Sequence, residues 1–266
     1  MKDWPEPIST CWNHWIAVPA GDQVGVIDIL GLSPLRPITF AEARQVIDAD
    51  GHSDPNDRRH LARVFVTPEV DGWTLVIGAW CDPCSRERHE DVLGECKELS
   101  VRYGRAQAYY YGAQGDGSAW LVAEKGHAVR RYAATGEPDD ELLTLGDPLP
   151  VEQARLAELG LPADGDLRSA SDEQIEEWTE VAFDLAPEIA AAYGVSPFTL
   201  TRGTKVRGTG VLALAPDAAD HRSQGTGTAP TASRSSAGNS RSAWPMASGT
   251  HRPASDRRQT SNCPLI

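Results

Sequence analysis

The sequence predicts an α+β fold, a mainly antiparallel sheet with helices packed on it, followed by a disordered C-terminal tail. Three observations lead there. The β-like runs of the middle third are joined by connections too short for a crossover helix, so neighbours must run antiparallel. Helical spacing returns at several separate places along the chain. The last fifty or so residues hold few large apolar side chains. A chain of 266 residues that is 40% hydrophobic is ample for one buried core. The expected layout is a single domain over residues 1–214 and a tail over 215–266.

Near the start, Trp15-Ile16-Ala17-Val18 reads as a strand. Pro19-Ala20-Gly21-Asp22 makes a turn into the apolar run Val24 to Leu32, and the two runs are expected to pair as a hairpin. Thr39 with Glu42 forms a capping box ahead of Phe40, Ala43, Val46 and Ile47, which predicts a short helix. The polar stretch from His52 to His60 reads as a loop. Asp54, Asn56 and Asp57 within it suit a turn better than a calcium loop, since the glycine and terminal glutamate of an EF-hand are missing.

Ala62–Thr67 and Trp73–Trp80, joined by Pro-Glu-Val-Asp-Gly, predict a hairpin. From Asp82 to Tyr103 the period becomes helical: Val92, Leu93, Cys96, Leu99 and Tyr103 share a face, and Gly104 closes the helix. Ala106–Tyr111, Ala119–Ala123 and Ala128–Ala133 are expected to be three adjacent antiparallel strands, with Tyr109, Tyr110, Tyr111 and Trp120 packing the core. Pro150–Gly160 is a brief helix. Ser171 with Gln174 caps a second that runs through Ile175, Trp178, Val181 and Ile189, with a break near Ala186 forced by Pro187. A last strand lies within Lys205–Leu214.

In the tail, Asp217, Asp220 and Asp256 oppose six arginines, a net of +3 against −13 for the whole chain. Its large apolar residues are Trp244, Met246, Leu265 and Ile266. So little apolar surface cannot offset roughly 1–2 kcal/mol of backbone entropy per residue. A basic tail on an acidic body could fold back on it or contact an anionic partner. The acidic balance argues against nucleic-acid and anionic-membrane binding. No stretch approaches the roughly 18 apolar residues of a membrane span. The N-terminus lacks the basic and apolar regions of an export signal, so the expected location is cytoplasmic.

Five cysteines occur, at 11, 81, 84, 96 and 263. Their odd number and wide spacing argue against a disulfide framework. Cys81-Asp82-Pro83-Cys84 stands where an apolar strand is expected to meet a helix. A helix N-terminus there would stabilise a thiolate, and a two-residue spacer lets a second thiol resolve a mixed disulfide. A zinc site from Cys81, Cys84, His89 and Cys96 is disfavoured, because one continuous helix would hold His89 and Cys96 about 10 Å apart along its axis. No pattern for a cofactor stands out.

The segment Ala79-Trp80-Cys81-Asp82-Pro83-Cys84 resembles the active site of the thioredoxin family, W-C-x-P-C after an apolar strand. The resemblance spans roughly residues 62–134. It implies Cys81 as attacking thiolate, Cys84 as resolving thiol, Trp80 packed beside them, and a thioredoxin-like α/β fold as the alternative architecture. In overall composition (four Lys against 21 Arg, with Trp- and Tyr-rich strands) the chain resembles uncharacterised actinomycete-type proteins. The favoured function is a non-catalytic cytoplasmic interaction or regulatory protein, its acidic surface meeting a basic or mixed-charge protein partner. The alternative is a thiol–disulfide oxidoreductase or redox sensor using Cys81 and Cys84.

Overall fold

A computed structural model describes residues 4–53, 58–113 and 115–216. Strand β1 (Trp12–Val18) lies near the middle of the sheet rather than in a hairpin with the next apolar run. That run, expected as a strand, is helix α1 (Gln23–Ile29). The reason is local. Asp22 accepts a hydrogen bond from the Gly25 amide (3.0 Å) and is itself held by Arg102 and Tyr103, each at 2.8 Å. Val26, Ile27 and Leu30 then fall on one buried helical face while Val24 faces water.

Strand β2 (Ser33–Ile38) follows, with Pro34 and Pro37 inside it, and then α2 (Phe40–Gly51), capped by Thr39 as expected. Strands β3 (Arg63–Val66), β4 (Glu69–Val70) and β5 (Thr74–Ile77) come next, with β3 and β5 paired antiparallel. Helix α3 (His89–Tyr103) leads into β6 (Arg105–Gly112), β7 (Ser118–Glu124) and β8 (His127–Ala134). Lys125 and Gly126 both take positive φ (50° and 88°), making the two-residue reversal that lets β7 and β8 pair directly. Helices α4 (Pro150–Glu158), α5 (Asp172–Phe183) and α6 (Ala186–Tyr193) precede β9 (Val206–Arg207) and β10 (Gly210–Leu214). Pro187 sits in the first turn of α6, so the predicted break is where α5 hands over to α6.

Eight strands form one sheet in the order β2-β10-β3-β5-β1-β6-β7-β8, and every named pair is antiparallel. A separate two-stranded ribbon joins β4 to β9. The architecture is therefore α+β, and the thioredoxin-like α/β alternative does not describe it. The joint after the tyrosines is a tight reversal closed by Gly112 N–H donating to the Gly117 carbonyl at 2.9 Å. It leaves no room for a crossover helix.

Alternation along the central strands sends side chains to two cores. Trp15, Tyr109, Trp120 and Val122 meet α2, α4, α5 and α6 on one face, with Trp15 stacked on Tyr109 at 4.9 Å. Ile16, Val18, Ala108 and Leu121 meet α1 and α3 on the other. The first layer also holds a buried ion pair, Arg130 to Glu152 at 2.5 Å. Glu152 also accepts from Trp120 Nε1 (3.0 Å) and the Leu149 amide (2.8 Å). The expected tail and the Asp54–Asp57 turn lie outside the described residues, except for the tail's first two positions.

Candidate functional site

The Cys81–Cys84 turn does not open a helix. Cys81 ends a single 3-10 turn (Ala79–Cys81), and α3 starts only at His89. The intervening stretch is taken up by Asp82, whose Oδ1 accepts from the amides of Cys84 (2.9 Å) and Ser85 (3.1 Å). An Asp-Pro sequence that bonds its own following amides competes with the helix for them. Those donors are what a helix N-terminus would have offered a thiolate, and here a carboxylate already holds them.

Cys81 is fully buried and its thiol donates to the Val76 carbonyl at 3.3 Å. Burial, reinforced by the Glu95 charge, pushes the Cys81 thiol far up, and burial does the same to Cys96. Above it the Arg88 guanidinium lies over the Trp80 ring (4.3 Å) and donates to the Trp80 carbonyl (2.9 Å). It also pairs with Asp91 (2.7 Å) and Glu95 (2.6 Å). Trp80 and Cys81 are both buried in the apolar layer beneath α3. Cys84 is half-buried, and its thiol donates to the same Asp82 oxygen at 3.1 Å. The other Asp82 oxygen meets His14 Nε2 at 3.3 Å, and His14 stacks on Tyr110 (5.0 Å). Burial alone would raise the Asp82 carboxyl. The His14 charge and hydrogen bond, with those from Cys84, overcome it and hold the group far below the usual carboxylate range.

The arrangement ties the turn onto the sheet. A carboxylate accepting a thiol proton favours the neutral thiol, and a buried thiol has no path to a bulky disulfide substrate. The sequence puts a strand end at Trp80, directly before Cys81, whereas β5 ends at Ile77 and a 3-10 turn carries the chain to Cys81. It gives no sign of the His14 contact to Asp82, because that contact depends on β1 lying beside β5. His89 and Cys96 both lie on α3. Among the described residues, the group able to offer three metal-ligand atoms is instead Cys11, Asp48 and His52. Cys11 there is already engaged and is not among the free thiols.

A second feature comes from α5. Its inner face buries Trp178 and Ala182, with Trp178 Nε1 donating to the Tyr132 hydroxyl at 2.8 Å. Its outer face exposes Asp172, Glu173, Glu176, Glu177 and Glu180, while Ile175, 38% exposed, lies on the flank between that face and the buried one. None of the five carboxylates forms an ion pair with another described residue. The cation nearest in sequence, Arg168, is committed to Asp166. Asp172 and Glu173 suit the positive end of the helix. Glu176, Glu177 and Glu180 lie beyond it, and the spacings 172–176, 173–177 and 176–180 stack like charges one turn apart, each costing about 0.2–0.5 kcal/mol. The signal was present as five acids between Ser171 and Glu180. It was masked by the apolar stripe that identifies the helix.

No protein-family model, curated protein or solved structure matches this chain. Among the described residues, no helix is long and apolar enough to cross a membrane.

Proposed function

We propose that this chain is a non-catalytic interaction or regulatory protein, and that the acidic outer face of α5 engages a protein partner carrying Lys and Arg. The supporting observation is the set of unpaired carboxylates at Glu176, Glu177 and Glu180, kept at a cost to the helix that bears them. A surface of one charge sign speeds encounter with an oppositely charged partner and excludes like-charged ones. The exposed Ile175 borders this face and gives such a partner one apolar contact at its margin. A cytoplasmic setting remains part of this reading.

The test uses the full chain as bait and compares it with the Glu176→Lys, Glu177→Lys, Glu180→Lys variant. A discrete partner that is retained at low salt, released by about 0.5 M salt and lost with the variant supports the reading. Retention that is equal for both baits, or absent at every ionic strength, ends it.

A further inference from the structure

The outer rim of β8 carries a second exposed surface, apolar at its centre. Leu142 is 81% exposed, Leu145 44% and Val129 38%. Leu145 is held at the sheet edge by two backbone hydrogen bonds of 2.9 Å with Arg131, two residues along β8 from Val129 and three along the chain from Leu142. Gly146 then passes so close to the Val129 carbonyl that a Cβ there would come within 2.0 Å of its oxygen. The segment 137–147 contains Glu137, Asp139, Asp140, Glu141 and Asp147, with no Lys or Arg. Asp139 pairs with Arg86 and Asp140 holds the Thr135 amide, which leaves Glu141 and Asp147 exposed outside any ion pair among the described residues.

We propose that this rim is the docking site of the chain's own segment around Arg241-Ser-Ala-Trp-Pro-Met246, making the C-terminal stretch an intramolecular cover. Three properties select that occupant. Residues 217–266 carry a net +3, opposite in sign to the rim. Trp244 and Met246 are two of their four large apolar residues and stand three and five positions after Arg241, a short cationic and apolar cluster that complements leucines flanked by acids. The reach also fits. The described chain ends at Pro216, just after β10, and six inter-strand steps separate β10 from β8 in the sheet, about 29 Å at about 4.8 Å each. The 27 residues of 217–243 reach at most about 90 Å when fully extended, more than enough to cross that distance. A contact made within one chain needs no second molecule and does not depend on protein concentration. The inference does not require α5 to have a partner.

Carboxyl footprinting of the full chain tests it, with Glu141 and Asp147 as reporters and Glu176 as control. An intramolecular contact formed about two-thirds of the time leaves about a third of the rim open. Both reporters should therefore label about threefold more slowly in the parent than in Arg241→Gln, Trp244→Ala. The Leu142→Ser variant, altered at a solvent-exposed side chain, should match the tail variant, and about 0.5 M salt should bring the parent towards both. Equal labelling of parent and variants overturns the proposal. So does protection that rises with protein concentration, which would mean a second copy on the rim. Slowing that extends to Glu176 overturns it too, since the contact would then be unspecific. The bait comparison with the α5 variant reads a different surface, so either proposal can fail without the other.

Discussion

Neutralising the outer face of α5 should stabilise the fold while removing its proposed function. In Glu176→Gln, Glu177→Gln, Glu180→Gln, the like-charge contacts at 172–176, 173–177 and 176–180 disappear, together with the closer-spaced 173–176 and 177–180. Gln and Glu have similar helix propensity, so the backbone cost is unchanged. At about 0.2–0.5 kcal/mol per contact the gain is about 1 kcal/mol at low salt, after allowing for exposure of all five side chains. For a folded region of this size, that raises Tm by about 2–4 °C. Thermal melts in 10 mM and 1 M NaCl provide the assay. At 1 M the screening length shrinks to about 3 Å, and parent and variant should converge. A variant that melts lower than the parent in 10 mM salt, or a gap that persists in 1 M salt, would refute the reasoning. The carboxylates would then be contributing to the fold itself.

Three further outcomes are expected. Glu152→Gln removes the counter-charge of buried Arg130, leaving it neutral partners such as the Gly146 carbonyl and the Tyr132 ring, and should cost about 3–5 kcal/mol in urea unfolding. Arg130→Met combined with Glu152→Leu should recover much of that, and a double variant no better than the single would contradict the assignment. Under native alkylation with mass-spectrometric readout, Cys84 should react ahead of Cys81 and Cys96. Because burial raises both buried thiols, the unfolded chain ionises first, and stability should fall by about 1.4 kcal/mol per pH unit per thiol above about pH 9. Cys81 modified quickly at pH 7 would restore the redox reading. The lowered Asp82 carboxyl gives stability that is present above its unfolded value near 4 and is lost as the pH drops below that. Asp82→Asn should therefore flatten the acid limb of the stability profile, and an unchanged limb would exclude this role.

How much could be read from the sequence depended on whether a signal was local. Thr39 with Glu42, Ser171 with Gln174, and Gly104 each act within a few residues, and each element they predict is present. The Val24–Leu32 run was ambiguous because a short buried helix and a buried strand look alike in composition. Asp22, held by Arg102 and Tyr103 from 80 residues away, tips it to helix. Strand β2 was missed because Pro34 and Pro37 speak against a strand anywhere except at a rim. At the cysteine turn, Trp-Cys-Asp-Pro-Cys suggested a helix start. The Asp82 side chain captures the amides that a helix would have left open, and His14, which steadies that carboxylate, arrives from a strand nearly seventy positions earlier.

The two margins of the large sheet are finished differently. On one, the paired prolines of β2 strip two of six residues of amide donors, so a neighbouring molecule finds an incomplete ladder there. On the other, a strap of the chain's own backbone occupies the hydrogen-bonding positions at Arg131 while turning leucines outward. Self-templated stacking of sheets is thereby hindered at both ends, since one edge is already paired at Arg131 and the other has gaps in its run of donors.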